Sequence, residues 1–119
     1  MKTQKNAEEL WLAVKNDIEL EILKGTYRAG ERIPTLVELV EKYGIGRVTA
    51  QKVINSLADD GIIVKQVSQG CFVKPYVKDK IFEKRKKRLQ LQLEAQAHEA
   101  QALGFAKEQF LQIASDVYD

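Results

Sequence analysis

The sequence predicts a mainly α-helical chain with one small β-hairpin, an α+β class in which helices dominate. Before Gly61, apolar residues recur at helical spacing in three segments. Between Gly61 and Pro75 the pattern changes to β-branched residues around a short turn. The stretch 88–102 is rich in Gln, Ala and Leu, which favour helices.

Length and composition are those of one modest globular domain, or of a compact domain with an appendage. The chain has 119 residues, of which 45% are hydrophobic and 30% charged, and its formal net charge is +2. One cysteine cannot form an intramolecular disulfide, and one cysteine with one histidine falls short of the four ligands of a structural zinc site. No apolar run approaches the roughly 18 residues of a membrane span. We therefore expect a soluble cytoplasmic protein without a metal or cofactor.

The first predicted element is a helix over residues 7–24. A single apolar stripe at spacings of three, four and four residues indicates it: Trp11, Val14, Ile18 and Ile22. Residues 25–30, which begin and end with glycine, form a turn region. Arg32 and Ile33 are predicted to form a very short strand before Pro34.

Two short helices with identical apolar offsets (0, 3, 4 and 7) are predicted next. Thr35 and Glu38 form the S/T-x-x-E capping box that begins the first. The second covers 47–59 and closes at Gly61, which suits the left-handed position after a helix. Residues 44–46, which include two glycines, join the two. The apolar positions are Leu36, Leu39, Val40 and Tyr43 in the first helix and Ala50, Val53, Ile54 and Leu57 in the second.

A β-hairpin and two further helices complete the prediction. Residues 62–67 form a β-branched strand, 68–70 a turn and 71–74 the returning strand. A long helix begins near Asp79 and stops at Leu103-Gly104, and a shorter one covers 105–118.

The order helix, short helix, glycine turn, short helix and hairpin is that of a winged helix-turn-helix. If the apolar positions of the second short helix are buried, its other face is free to contact DNA. Arginine can bond guanine, glutamine can bond adenine, and methyl groups suit thymine, while lysine and the first amides of the helix bind phosphate. The free face holds Arg47, Val48, Thr49, Gln51, Lys52 and Asn55. The competing class is a protein–protein adaptor that reads no DNA, and the basic, polar character of this face counts against it.

The span from Trp11 to Val73 also resembles the winged helix-turn-helix domain of GntR-family bacterial transcription regulators. The resemblance rests on Ile22–Pro34, Glu38-Leu39, Tyr43–Thr49, Leu57–Ile62 and Gly70–Val73. It implies DNA contacts from the start of the first short helix, from the recognition helix 47–59 and from the wing 67–71. By position, these are Thr35, Gly46, Arg47, Thr49, Gln51, Ser68 and Gln69, and Gly70 of the wing is a further DNA-binding candidate. The family often has arginine where this chain has Val37 and Gln51, and commonly Gly-x-Gly in the wing, so a different base code is expected.

The C-terminal forty or so residues are similar to the tail of the YtrA-type subgroup, in which two helices mediate dimerisation. Such a segment is too short to form its own core. It must pack either on the DNA-binding domain or on a second copy, and the sequence leaves both open. A homodimer would place two recognition helices about 34 Å apart on a pseudo-palindromic operator. The expected division is a DNA-binding domain, 1–77, and a dimerisation tail, 78–119. The candidate dimerisation residues are Leu89, Leu93, Ala100, Leu103, Phe110 and Ile113.

Charge is concentrated directly after the predicted wing. The run 78–88 holds seven basic residues against two acids, a net charge of +5, which fits either a solvated helix start or phosphate contact. His98 and Cys71 are interpreted as surface and packing residues, and no nucleophile–base set indicates an enzyme. We therefore expect a homodimeric regulator of transcription. We expect a repressor, since repression needs only occupancy of a promoter. No feature of the sequence identifies a small-molecule effector.

Overall fold

The computed structural model describes residues 7–119, and along them it contains five helices and a two-stranded antiparallel sheet. The predicted class, mainly helical with one small hairpin, is confirmed. None of the described helices has the length and apolar character of a membrane span. In chain order the elements are α1 Ala7–Lys24, α2 Leu36–Tyr43, α3 Arg47–Asp59, β1 Ile63–Gln66, β2 Gly70–Val73, α4 Val77–Ala102 and α5 Lys107–Tyr118.

The apolar stripes of the first three helices form one core. The stripe of α1 faces α3, and α2 packs against α3. Because the buried positions of α3 recur every three or four residues, one face of this helix is fully covered and the opposite face stays exposed. The buried positions are Val14, Ile18 and Ile22 of α1, Leu39 of α2, and Ala50, Val53, Ile54 and Leu57 of α3.

The predicted capping box begins α2. The Thr35 hydroxyl accepts from the Glu38 N–H at 3.2 Å, and the Glu38 carboxylate accepts from the Thr35 N–H at 2.9 Å. The backbone and hydroxyl of Thr35 lower the pKa of Glu38, because their hydrogen bonds favour the carboxylate. At the other end, Gly44 ends α2 in the left-handed conformation, with φ 62°. Both ends of α2 are thus defined by local residues.

The hairpin pairs Ile63 with Val73 and Gln66 with Gly70 at its two ends. Between them, the chain reverses over 67–69, where the Gln69 N–H donates to the Gln66 carbonyl at 3.0 Å. The short strand predicted at Arg32 and Ile33 is a single bridge from Arg32 to Phe72. The segment before α2 therefore supports the outer edge of β2.

The chain divides into two compact units, one that ends at Phe82 and a second, Glu83–Asp119. The division lies within α4 and thus later than the expected one after residue 77. Its cause is the first turns of α4, whose Val77 and Ile81 are buried in the core of the first unit.

The second unit consists of the rest of α4, a glycine turn and α5. Gly104, with φ 88°, follows the helix, and the Phe105 N–H donates to the Ala100 carbonyl at 2.9 Å. The last helix begins at Lys107, two positions after the predicted start, because Ala106 has extended backbone and is its N-cap. Within residues 83–119, all of which are described, none is buried.

Candidate nucleic-acid interface

The exposed face of α3 begins at an uncapped helix N-terminus. Gly46 is the N-cap, with extended backbone (φ −77°, ψ 165°) and no side-chain hydrogen bond to the first amides. Those amides, together with the helix dipole, favour an anion such as a phosphate. The first turn contains no acid, and Arg47 is exposed there beside Val48, which is 86% exposed. This end of α3 thus combines positive potential with an accessible methyl surface.

The remaining candidates on α3 differ in accessibility. Gln51 and Lys52 are exposed, whereas Thr49 is half-buried. Thr35, the candidate at the start of α2, is also half-buried, and its hydroxyl oxygen already accepts from Glu38 in the capping box. The same hydroxyl group also carries an O–H donor.

Trp11 lies at the edge of the exposed face of α3. The ammonium of Lys52 stands 4.7 Å from the centre of its ring, within the range of a cation–π interaction. Trp11 is half-buried and packs on the core, as the sequence indicated. It also lines an open groove of about 520 Å³ on the outer side of α3. The orientation of Lys52 is therefore set partly by α1, a contact that helical periodicity does not reveal.

A side-chain network joins α3 to the hairpin. Oδ1 of Asn55 accepts from Nε2 of Gln51 at 3.0 Å and from the ammonium of Lys65 in β1. Gln51 and Asn55 are four residues apart on one helix, so they are neighbours on the same face. Helix α3 and strand β1 are thus linked by side chains as well as by the core.

The tip of the hairpin presents the wing candidates. Ser68 and Gln69 are exposed, and Ser68 adopts φ 63°. Gly70 is half-buried, with φ 109°, and a Cβ there would stand 2.9 Å from Cδ of Arg32. Glycine allows this backbone, and the Arg32 side chain lies over it. One position after Gly70, burial raises the pKa of the Cys71 thiol, which fits a packing role against the core.

Two polar side chains, Lys15 and Tyr43, fix the helices beneath the interface. The Lys15 ammonium is buried and donates to Oγ of Ser56 at 2.7 Å and to Oδ2 of Asp60 at 2.6 Å, which ties α1 to the end of α3. The Tyr43 hydroxyl donates to Oδ2 of Asp17 at 2.5 Å, which ties α2 to α1. Burial, followed by this hydrogen bond, raises the pKa of Tyr43. Sequence reasoning missed Lys15, because a lysine next to an apolar stripe gives no local sign of its distant partners.

The basic run 78–88 is divided between the two units. In the first, the Lys80 ammonium lies close to Gly61 at the end of α3. In the second, Lys84, Lys86 and Lys87 are exposed along α4 and line a shallow groove with Glu83 and Gln90. His98 is exposed, and among residues 7–119 no group of Cys, His, Asp and Glu could hold a metal ion.

Comparison with known proteins identifies relatives of the first unit. The family model described as "Bacterial regulatory proteins, gntR family" matches residues 10–73. A curated relative from Escherichia coli strain K12, the "Probable fructoselysine utilization operon transcriptional repressor", is 36% identical over 64 residues. The match covers 54% of this chain and 26% of the relative. The chain thus spans about a quarter of the length of that relative.

Solved structures resemble the fold more widely. A GntR family transcriptional regulator from Listeria monocytogenes matches with a TM-score of 0.79 at 22% identity, over 98% of each chain. This likeness shows a shared fold that includes the C-terminal helices. The structure of AraR(DBD) in complex with operator ORR3 is 27% identical, with a TM-score of 0.53, over 61% of this chain and 90% of that one.

Proposed function

Since the chain belongs to the gntR family of bacterial regulatory proteins, we propose that it regulates transcription by binding an operator in double-stranded DNA in the cytoplasm. The observation that carries the proposal is the exposed face of α3, which is basic and polar, has no acid in its first turn and begins at an uncapped helix N-terminus. The relative from Escherichia coli named as a repressor, and AraR(DBD) bound to an operator, support the same function for this chain.

The residues divide by the chemistry of their contacts. Arg47 presents a guanidinium to a guanine edge, Gln51 presents an amide to adenine, and the methyl groups of Val48 and Thr49 meet thymine. Phosphate oxygens are bound by Lys52, by Thr35 and by the amides that follow Gly46. The wing 67–71 adds contacts from Ser68, Gln69 and Gly70. The protein acts as a repressor by occupying the promoter.

Homodimerisation through the second unit, as in the YtrA-type subgroup, completes the proposal. No residue of 83–119 is buried, so these two helices have no core of their own. Four of the six candidate residues are about half or more exposed, and Ala100 and Phe110 are half-buried. A second copy would cover this surface and place two recognition helices on one pseudo-palindromic operator.

Selection from a pool of random duplexes tests sequence-specific binding. The wild type should enrich a half-site repeated at about one helical turn, 10–10.5 base pairs. Arg47→Ala should then lose about 1–3 kcal/mol on the enriched duplex and much less on a scrambled one. Arg28→Ala, an exposed arginine in the turn before α2, removes the same charge and is the matched control.

Two results would contradict this function. Enrichment of no sequence at low salt would remove the DNA-binding proposal and favour the adaptor class. Equal losses for Arg47→Ala on enriched and scrambled duplex would make Arg47 a phosphate contact instead of a base contact.

Sedimentation velocity tests the dimer. Replacing Leu89 and Leu93 together by glutamate should produce monomers, because two charges would enter the apolar surface that the partner covers. Leu91→Glu is the control, since Leu91 is also an exposed leucine of α4 but points to another side of the helix. A Leu89/Leu93 variant that remained dimeric would place the contact elsewhere.

A further inference from the structure

The side-chain oxygen of Asn55 is shared by two donors on the face proposed to read DNA. It accepts from Nε2 of Gln51 at 3.0 Å and from the Lys65 ammonium. All three residues are exposed. Hydrogen bonds that compete with water contribute little to folding stability. The main effect of this arrangement is therefore to orient the side chains of the two donors, Gln51 and Lys65.

Gln51 is a long side chain with several rotatable bonds, and ordering such a chain on a ligand opposes binding. The bond to Asn55 uses one of its two N–H groups. Its carbonyl oxygen and its other N–H are the acceptor and donor that an adenine edge requires. The bond therefore restricts Gln51 to conformations along the exposed face of α3 before DNA arrives, so that part of the entropic cost of ordering this side chain is met in the free protein.

Lys65 connects the same oxygen to the wing. It lies in β1, paired in register with Cys71 of β2. Its ammonium is drawn to the outer face of α3, so a positive charge is fixed between the recognition helix and the hairpin. The wing is thus held against α3 by a contact on the DNA side in addition to the buried core.

We propose that Asn55 is a positioning residue for base recognition: its amide oxygen holds Gln51 in the conformation that reads adenine and holds Lys65 of the wing beside α3. The inference rests on the proposed function, since it requires that Gln51 meets a base. Asn55 acts through its two neighbours and needs no base contact of its own.

Selections from random duplexes with the wild type, Asn55→Ala, Gln51→Ala and the double variant test the inference. Asn55→Ala and Gln51→Ala should lose base preference at the same operator position. On the enriched duplex, each single variant and the double variant should lose about 5- to 10-fold in affinity, because the two residues act as one unit. On a scrambled duplex the change should stay below about 2-fold, since phosphate contacts are kept.

Asn55→Asp separates the role of the oxygen from that of the side chain as a whole. A carboxylate keeps an acceptor for both donors, so base preference at the Gln51 position should survive. The added negative charge should weaken binding to enriched and scrambled duplexes by the same factor. Thermal unfolding of all variants should stay close to that of the wild type, because Asn55 is exposed.

Three outcomes overturn the inference while leaving DNA binding intact. They are retention of base preference in Asn55→Ala, additive losses in the double variant, and loss of preference in Asn55→Asp as complete as in Asn55→Ala. A wild type that enriches no sequence overturns the proposed function, and the inference with it. The two failures are therefore distinguished by the wild-type selection alone.

Discussion

Removing either partner of the Lys15–Asp60 ion pair should destabilise the first unit, and by unequal amounts. The two charged atoms are 2.6 Å apart, and the side chains are 10% and 37% exposed respectively. The lysine side chain is thus nearly buried, whereas the aspartate side chain remains partly exposed to solvent. The asymmetry of burial determines which substitution costs more.

The expected magnitudes follow from the charge that each substitution leaves behind. Lys15→Met keeps an apolar stem and leaves a carboxylate that water still reaches, so the loss should be about 1–2 kcal/mol, near one charged hydrogen bond. Asp60→Ala leaves the ammonium buried, which ordinarily costs about 3–5 kcal/mol. The Ser56 hydroxyl at 2.7 Å and the Trp11 ring at 5.7 Å still stabilise that ammonium, which lowers the expected loss to about 2–4 kcal/mol.

Urea unfolding at neutral pH, followed by helical circular dichroism, measures these losses. The double variant should lose less than the sum of the single losses, by a coupling of about 0.5–3 kcal/mol. Lys24→Met is the control, because the ion pair between Lys24 and Glu21 is long, at 4.0 Å, and the lysine is well exposed. The expected loss in the free energy of unfolding is less than about 0.5 kcal/mol. A loss in Lys15→Met that equals or exceeds that of Asp60→Ala would refute the reasoning from burial.

Two further substitutions test the start of α2 and the wing. The pKa of Glu38 is lowered, chiefly by the backbone N–H of Thr35. This carboxylate therefore stabilises the fold above its ordinary pKa of 4.5, and its contribution to the free energy of unfolding disappears as the pH falls through the lowered pKa. Glu38→Gln does not titrate and should lose less stability than the wild type between about pH 5 and pH 3 in urea unfolding; parallel losses would contradict this account. Gly70→Ala should cost about 1–3 kcal/mol in the same assay, because φ is 109° and the new Cβ would displace the Arg32 side chain. Gly46→Ala, where φ is −77° and no atom lies within 4 Å of the new Cβ, should cost at most about 1 kcal/mol, and equal losses at both glycines would exclude backbone strain as the cause.

Local patterns predicted the helices and the turn between them well. The stripe of α1 and the repeated offsets of α2 and α3 are periodic, and the capping box of Thr35 and Glu38 marks a boundary through hydrogen bonds between near neighbours in the chain. The exposed face of α3 followed from the same argument, since covering one side of a helix leaves the other free. The start of α5 was less accurate, because nothing in the sequence shows that the backbone of Ala106 is extended.

Contacts between distant residues could not be predicted in this way. Lys15 meets Asp60 across 45 positions, and Lys65 meets Asn55 across the last turn of α3 and the turn into β1. Each of these side chains has an ordinary place in its own local pattern. Only the packing of α1 and β1 against α3 brings the partners together, so their roles depend on tertiary structure and not on periodicity.

Because no residue in 83–119 is buried, the activity of the protein should depend on its own concentration. Under the proposed dimer, the tail gains a core only when two chains meet, so the active species obeys mass action. Below the dimer dissociation constant, the dimer concentration rises with the square of the chain concentration. A twofold change in synthesis would then alter operator occupancy by up to about fourfold. Such a protein would respond to its own abundance, even without a small molecule to sense.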